Sequence, residues 1–172
     1  LENPPNPAYF AGEPRFDYFK RTAFTPDQWR KLKDACAEAG VTFLSSPFSL
    51  EAVDLLEAVG VDSYKIPSGE VSNTPLLEHV AQTGKPVLLS SGMSDWAELD
   101  RAVEALRDVR DLTVLQCTSM YPCPPEHVGL NVIAEMQSRY GRPVGFSDHT
   151  TGPAAAFAAV ALGAVVVEKH LT

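Results

Sequence analysis

Hydrophobic residues along this chain come in short runs, and the runs close with polar residues. Six apolar runs recur at intervals of about 20 to 30 residues, which is the span of one βα unit. The polar clusters that follow them are Ser45-Ser46, Ser68-Gly69-Glu70, Ser90-Ser91, Gln116-Cys117, Ser147-Asp148-His149 and Glu168-Lys169-His170. Because a parallel barrel carries its active site at the carboxyl ends of its strands, this pattern predicts one site assembled by the whole sheet.

Helix signals lie between the apolar runs. Thr25 and Gln28 form a capping-box pattern that predicts a helix to about Ala39, where Gly40 ends it. Further helices are predicted after Ser49, Asn73, Asp95, Gly129 and Gly152, with stops at Gly60, Gly84, Gly141 and Gly163. Residues 25–172 are therefore expected to form βα units. Residues 1–24 lack any sustained periodicity and are predicted to be a long loop.

The fold class predicted is α/β, with a parallel sheet buried on both faces because the strands read as continuous apolar runs. Two architectures fit. One is a (β/α)8 TIM barrel with about six βα units present and the first two strands and last helix missing; the other is an open doubly wound sheet. A doubly wound sheet concentrates its chemistry at one switch point after a Gly-rich turn. Every strand end is polar here and no G-x-G-x-x-G occurs, so the barrel is favoured and the chain is expected to be part of a larger catalytic domain.

Charge and composition limit the classes of binding partner that this chain is expected to have. The chain has 172 residues, 45% of them hydrophobic, and a formal net charge of −8. An acidic surface is a poor match for nucleic acid or an anionic membrane, so neither is expected as a partner. Three cysteines without a C-x-x-C pair indicate a reduced, cytoplasmic protein.

Two histidines are candidate metal ligands. His149 and His170 end consecutive predicted strands, and neighbouring strands lie about 5 Å apart, so both imidazoles can reach one divalent ion. The alternative is a pair of hydrogen-bonded strand-end histidines. Cys117 ends a buried strand and is interpreted as a core residue rather than a nucleophile, and His79 and His127 are expected to face solvent.

A lysine and several hydroxyls suggest an anion site. Lys65 lies within a predicted strand, where an unpaired buried cation is costly, so it requires either Glu70 or a substrate carboxylate or phosphate as its partner. Hydroxyls from separate strand ends would complete a phosphate cradle, namely Ser46, Ser68, Ser90 and Ser147. No G-x-S-x-G motif is present, which argues against a hydrolase triad.

Six ordered segments resemble the sialic acid (N-acetylneuraminate) synthase family. They are residues 43–48 (FLSSPF), 64–70 (YKIPSGE), 85–93 (KPVLLSSGM), 117–122 (CTSMYP), 146–150 (FSDHT) and 161–172 (ALGAVVVEKHLT). The resemblance implies a (β/α)8 barrel that condenses phosphoenolpyruvate with an N-acylated hexose, such as N-acetylmannosamine, to a nine-carbon 2-keto sugar acid and phosphate. It also implies a homodimer when full-length and a C-terminal antifreeze-like domain, which is expected to lie outside these 172 residues.

The resemblance assigns a role to each candidate residue. His149 and His170 would bind a divalent metal, Mn or Mg. Lys65 would bind the phosphoenolpyruvate carboxylate, Glu70 would sit beside the reacting carbons, and Tyr121 would contact the sugar. The phosphate would be bound by Ser46, Ser68, Ser90 and Ser147.

Other interpretations stay open at this point. Position 46 is Ser where many members of the family carry Thr, and position 119 is Ser where some carry Asn. Sialic, legionaminic and pseudaminic acids are therefore all candidate products. A Schiff-base aldolase using Lys65 or Lys169 is a second kind of enzyme that fits a barrel. A truncated barrel without catalytic activity is the third interpretation.

Overall fold

The structure is a computed structural model that describes residues 13–171. The chain divides into two compact units, Leu1–Val41 and Thr42–Thr172. The first unit contains helices α1 (Arg15–Thr22) and α2 (Pro26–Glu38). The predicted capping box is confirmed: the Thr25 side chain accepts from the Gln28 backbone N–H, and the Gln28 side chain accepts from the Thr25 backbone N–H.

Helix α1 corrects the prediction that residues 1–24 form one long loop. Arg15–Thr22 is helical, while residues 1–12 lie outside the described residues. The helix follows Pro14 and carries Asp17 in its first turn and Lys20 and Arg21 in its last. These charges match the helix dipole, a signal that the surrounding proline and aromatic residues obscured.

The second unit alternates strands and helices. Its strands are β1 (Leu44–Ser45), β2 (Ser63–Ile66), β3 (Val87–Ser90), β4 (Leu112–Cys117), β5 (Val144–Asp148) and β6 (Val167–Lys169). Its helices are α3 (Leu50–Val59), α4 (Thr74–Gln82), α5 (Trp96–Ala105), α6 (Val132–Tyr140) and α7 (Ala154–Ala161), with short 3₁₀ turns at Ser68–Glu70 and Pro125–His127. The predicted helix starts and glycine stops are confirmed, and Gly60 and Gly163, for example, have the positive φ of helix-ending glycines.

The six strands form one parallel sheet in the order β1-β2-β3-β4-β5-β6. A doubly wound sheet reverses its order at a switch point, so the sequential order excludes that alternative. The sheet is also curled. Lys65 on β2 and Glu168 on β6 are four strand spacings apart, about 19 Å in a flat sheet, yet their charged atoms are 2.9 Å apart. The described unit is therefore an α/β half-barrel.

The strand limits differ from the apolar runs in an informative way. Strand β6 comprises Val167–Lys169, so it includes Glu168 and Lys169 of the predicted polar cluster, and strands β3 and β5 likewise include Ser90 and Ser147. The polar residues thus occupy the last positions of the strands themselves, where the pleat fixes the side to which each side chain points.

The core lies between the sheet and its helices. Its largest fully buried side chains include Tyr64, Phe146, Leu115 and Ile133. Both faces of β5 are buried, as the continuous apolar run predicted. Within residues 13–171, no helix combines the length and the apolarity that crossing a membrane requires.

Candidate active site

A cavity of about 460 Å³ opens at the carboxyl ends of the strands. Each of the six strands contributes to it, either directly or through the residues that follow the strand. The lining residues are Ser46, Lys65, Pro67, Ser68, Gly69, Ser90, Met93, Cys117, Ser119, Tyr121, Ser147, His149, Glu168, Lys169 and His170. One cavity therefore collects the polar strand ends, as the sequence pattern predicted.

Lys65 is the buried cation of this cavity, with a side chain only 8% exposed. Its Nζ donates to Ser90 Oγ at 2.5 Å and to Glu168 Oε2 at 2.9 Å. The expectation that Lys65 needs an anion is met, because the carboxylate of Glu168 balances its charge.

Glu168 links Lys65 to a second hydroxyl. Its Oε2 atom also accepts a hydrogen bond from Ser147 Oγ at 2.6 Å. Burial on its own would raise the pKa of Glu168, but the hydrogen bond from Ser147 and the charge of Lys65 outweigh burial and lower the pKa below its usual value. The group is therefore a carboxylate that shares one cluster with Lys65, Ser90 and Ser147.

Glu70 does not have the position that sequence analysis allowed for it. The suggested Lys65–Glu70 ion pair is wrong, since Glu168 takes that place. Glu70 lies at the end of the 3₁₀ turn after β2 and accepts from Asn73 Nδ2 at 2.8 Å, and it is not part of the cavity lining. The preceding Ser68 does line the cavity, because the turn that carries both residues directs them differently.

The two candidate metal ligands lie side by side. The imidazole rings of His149 and His170 have centroids 5.3 Å apart, and Tyr121 packs on both, at 4.1 Å from His149 and 5.8 Å from His170. Register explains this placement, because β5 and β6 are neighbouring parallel strands paired at Asp148 and Lys169, one residue before each histidine.

The nitrogen atoms of this pair suit a divalent metal. His149 Nδ1 is buried and has no hydrogen-bond partner. Burial lowers the pKa of His149 and the neighbouring His170 lowers it further, so His149 favours the neutral imidazole that metals bind. The described residues form no group of three His, Cys, Asp or Glu side chains arranged around one ion. The pair can therefore supply two ligands, with water or substrate oxygen atoms as the others.

A second lysine–carboxylate pair fixes the segment that carries His149. Asp148 Oδ2 accepts from Lys169 Nζ at 2.7 Å, and Asp148 Oδ1 accepts from the Thr150 backbone N–H at 2.8 Å. Lys169 Nζ also donates to the Thr150 carbonyl at 2.8 Å. These bonds close the backbone on both sides of His149, so its ring position is set by the strand ends.

Close packing brings further polar atoms to the lining of the cavity. Cys117 is buried, as predicted, and its Sγ lies 3.6 Å from His149 Nε2 and 3.6 Å from Ser68 Oγ. A Cβ atom on Gly92 would lie 2.5 Å from Ser119 Oγ and 2.7 Å from Ser68 Oγ. Glycine at position 92 is what lets these hydroxyls approach the end of β3.

The serine and tyrosine predictions can be compared directly with the cavity. Ser46, Ser68, Ser90, Ser147 and Tyr121 all line it. His79 and His127 do not: His79 is hydrogen-bonded to Asp54 at 2.8 Å, and His127 is exposed in the 3₁₀ turn.

Sequence reasoning missed Glu168 as a member of the site. A usable signal existed, because residues two apart on a strand point to the same side. Ser147 and His149 share one side of β5 and its extension, and Glu168 and His170 share the corresponding side of β6. Because His170 was predicted to face the site, Glu168 could have been predicted to face it too.

The residues also match a known family. Residues 5–172 match the model of the NeuB family. The chain belongs to the NeuB family. It is 45% identical over 159 residues to an uncharacterized protein of Methanocaldococcus jannaschii, covering 91% of this chain and 47% of that one. It is 42% identical to the N,N'-diacetyllegionaminic acid synthase of Campylobacter jejuni, covering 78% of this chain and 42% of the synthase.

A solved structure of the NeuB type has the same fold. The N-acetylneuraminic acid (sialic acid) synthetase of Leptospira borgpetersenii matches with a TM-score of 0.86 and 31% identity, over 95% of this chain and 59% of that one. The resemblance to sialic acid synthases is thereby confirmed. The chain spans about half the length of the curated NeuB relatives it matches.

Proposed function

We propose that this chain carries the anion-binding and metal-binding residues of a transferase that condenses phosphoenolpyruvate with an N-acylated hexose. The product would be a nine-carbon 2-keto sugar acid, released with phosphate. The observation that carries the proposal is the single cavity in which Lys65 and the serine hydroxyls face the paired imidazoles of His149 and His170.

Phosphoenolpyruvate has two anionic groups, and the cavity has matching donors. Lys65 Nζ would bind the carboxylate, and the hydroxyls would bind the phosphate, namely those of Ser46, Ser68, Ser90 and Ser147. Lys65 is buried, and charge-assisted hydrogen bonds are stronger when water is excluded. Glu70 stays a prediction: it would sit beside the reacting carbons, but its carboxylate accepts from Asn73 and it does not line the cavity.

His149 and His170 would hold a divalent ion, Mn²⁺ or Mg²⁺, which would polarise the sugar aldehyde as a Lewis acid. Lys65 would keep phosphoenolpyruvate in place while the C3 carbon of phosphoenolpyruvate bonds to the aldehyde carbon of the sugar. Water would then add at C2, and the serine hydroxyls would stabilise the phosphate that leaves this carbon. Tyr121, which is 66% exposed beside both histidines, would contact the sugar.

The sugar itself belongs to the same proposal. Relatives are named for sialic and legionaminic acids, and we propose an N-acylated hexose as the precursor in each case. Ser119 lines the cavity beside Gly92 and is a candidate for distinguishing between these sugars. N-Acetylmannosamine is the first sugar to test, followed by hexoses with two N-acyl groups.

Completion of the barrel is part of the proposal too. Strands β1 and β6 each pair with a single strand among the described residues, and large apolar side chains near β6, including Phe157 and Val165, are more than 60% exposed. Further βα units of a (β/α)8 barrel would cover these surfaces. We place the assembled enzyme in the cytoplasm as a homodimer.

The test is a phosphate-release assay on the full-length protein. Phosphate should appear only when phosphoenolpyruvate, the N-acylated hexose and Mn²⁺ are all present, and mass spectrometry should find the nine-carbon acid. At a phosphoenolpyruvate concentration near the wild-type KM, Lys65→Ala should lose most of this activity and Lys85→Ala should keep it, because Lys85 forms its ion pair with Glu57 outside the cavity.

Two results would contradict the proposed function. One is the absence of phosphate release with every N-acylated hexose tested. The other is borohydride trapping of a substrate on Lys65 or Lys169, which would instead identify a Schiff-base aldolase.

A further inference from the structure

The donors that the proposed function assigns to a substrate anion are already occupied by the protein's own carboxylate. Lys65 Nζ and Ser147 Oγ both donate to the same atom, Glu168 Oε2, at 2.9 and 2.6 Å. A hydroxyl has one proton to donate, so Ser147 cannot bind Glu168 and a phosphate oxygen at the same time.

We propose that Glu168 is an internal competitor for this anion site, and that an incoming phosphate or carboxylate must displace it from Lys65 and Ser147. The inference rests on the proposed function, in which these donors bind phosphoenolpyruvate. It makes Glu168 a residue that sets substrate affinity by occupying the substrate's place.

Exposure determines which partner of the pair can move. The Glu168 side chain is 40% exposed, so its carboxylate can rotate into water without losing hydration. The Lys65 side chain is 8% exposed, and a buried ammonium without an anion is costly. Exchange of one anion for another keeps Lys65 neutralised at every stage, which favours displacement over simple opening of the pair.

Competition of this kind lowers affinity in a predictable way. If only a fraction of the molecules has Glu168 away from its donors, the apparent dissociation constant equals the intrinsic one divided by that fraction. An anion that meets only one donor gains little from displacing Glu168. A substrate with both a carboxylate and a phosphate gains contacts at several donors, so the device favours it over a simple anion.

The experiment measures anion binding to the full-length protein without metal and without sugar. Inorganic phosphate and phosphoenolpyruvate are titrated by calorimetry into the wild type, Glu168→Gln and the matched control Glu57→Gln. Glu57 is also paired with a lysine, Lys85, but outside the cavity. We expect Glu168→Gln to bind both anions about tenfold more tightly, a change of about 1.4 kcal/mol, and Glu57→Gln to match the wild type.

A double-mutant cycle separates competition from a general effect of charge. Removing any negative charge near an anion site strengthens anion binding, but competition acts through the donors Lys65 and Ser147. The gain from Glu168→Gln should therefore disappear in a background that lacks both donors, Lys65→Met with Ser147→Ala. An equal gain in both backgrounds overturns the proposal, and so does weaker binding by Glu168→Gln, because Glu168 would then be helping to bind the anion.

Folding and function are controlled separately. Thermal melts check each variant, and Glu168→Ala repeats the measurement if Glu168→Gln is unstable; failure of both to fold overturns the proposal, since a displaceable residue must be dispensable for folding. If Glu168→Gln binds anions more tightly but the wild type shows no condensation activity, only the proposed function is contradicted. If the wild type has condensation activity but Glu168→Gln binds anions no more tightly, only the competitor role of Glu168 is contradicted.

Discussion

Two lysine–carboxylate pairs lie at the same end of this sheet, and they are built in opposite ways. In the pair Lys65–Glu168 the cation is buried, at 8% exposure, and the carboxylate is 40% exposed. In the pair Lys169–Asp148 the carboxylate is fully buried and the lysine is 29% exposed. The first pair joins β2 to β6 across the cavity, whereas the second joins the adjacent strands β5 and β6.

The difference indicates which pair can exchange its anion. Asp148 is held by Lys169 and by the Thr150 backbone N–H, and its side chain is fully buried. Glu168 accepts from Lys65 and Ser147 through one oxygen, Oε2, and lines the cavity. We therefore interpret Lys169–Asp148 as the pair that fixes the position of His149, and Lys65–Glu168 as the pair that handles ligands.

The largest effect is expected from the histidines that follow the second pair. His149→Ala or His170→Ala should lower condensation activity by at least about a thousandfold, since a metal contributes several kcal/mol to such reactions. Neither change touches Lys65 or Glu168, so phosphoenolpyruvate binding without metal should stay near the wild-type value. Removing metal with EDTA should silence the wild type, and full activity in a metal-free preparation would contradict the assignment.

Lys65→Ala should come next. Loss of a charge-assisted contact of about 1.5–3 kcal/mol should raise the KM for phosphoenolpyruvate by about 10- to 100-fold, and the KM for the sugar far less. Steady-state kinetics with each substrate varied in turn measures the two values. Equal rises in both would instead mean that Lys65 acts mainly as a structural partner of Glu168.

The first pair also shows where prediction from sequence ends. The strand order, the helix stops and the gathering of Lys65, His149 and His170 followed from apolar runs and turn residues, because these depend on local spacing. The partner of Lys65 did not follow. Glu70 is five residues away and Glu168 is 103 residues away, and only the curl of the sheet brings the distant one closer.

Helix α1 was missed for a different reason, because the sequence signals for this helix are local but weak. Arg15–Thr22 has eight residues and no side-chain cap. Short helices depend on their surroundings more than on intrinsic propensity. The predicted loop was therefore wrong at a place where charge placement was the only available signal.

Asp148→Asn tests the second pair and should affect stability more than substrate binding. It leaves Lys169 without its carboxylate but keeps an oxygen for the Thr150 N–H, so we expect a loss of about 2 kcal/mol in the free energy of unfolding. The KM for phosphoenolpyruvate should change less than twofold, roughly within the scatter of surface substitutions. Urea denaturation measures the first quantity. A large rise in KM with unchanged stability would reverse the roles that we give to the two pairs.

The smallest effect expected is the response of the second pair to acid. Burial would raise the pKa of Asp148, but the hydrogen bond from Lys169 and those involving Thr150 outweigh burial and lower it. The unfolded chain, whose aspartate pKa is about 3.9, therefore takes up the proton first as the pH falls. The stability that Asp148 contributes should be complete above about pH 5 and be lost progressively below about pH 4.

The measurement is urea denaturation of metal-free protein between about pH 3 and pH 7, comparing the wild type with Asp148→Asn. Their difference in unfolding free energy should be constant near neutral pH and shrink in acid, because only the wild type can lose the carboxylate. Asp108→Asn is the control, since that side chain is 87% exposed and should leave the profile unchanged. A difference that stays constant down to the acid limit would mean that the charge of Asp148 contributes nothing, and that its oxygen atoms serve only as hydrogen-bond acceptors.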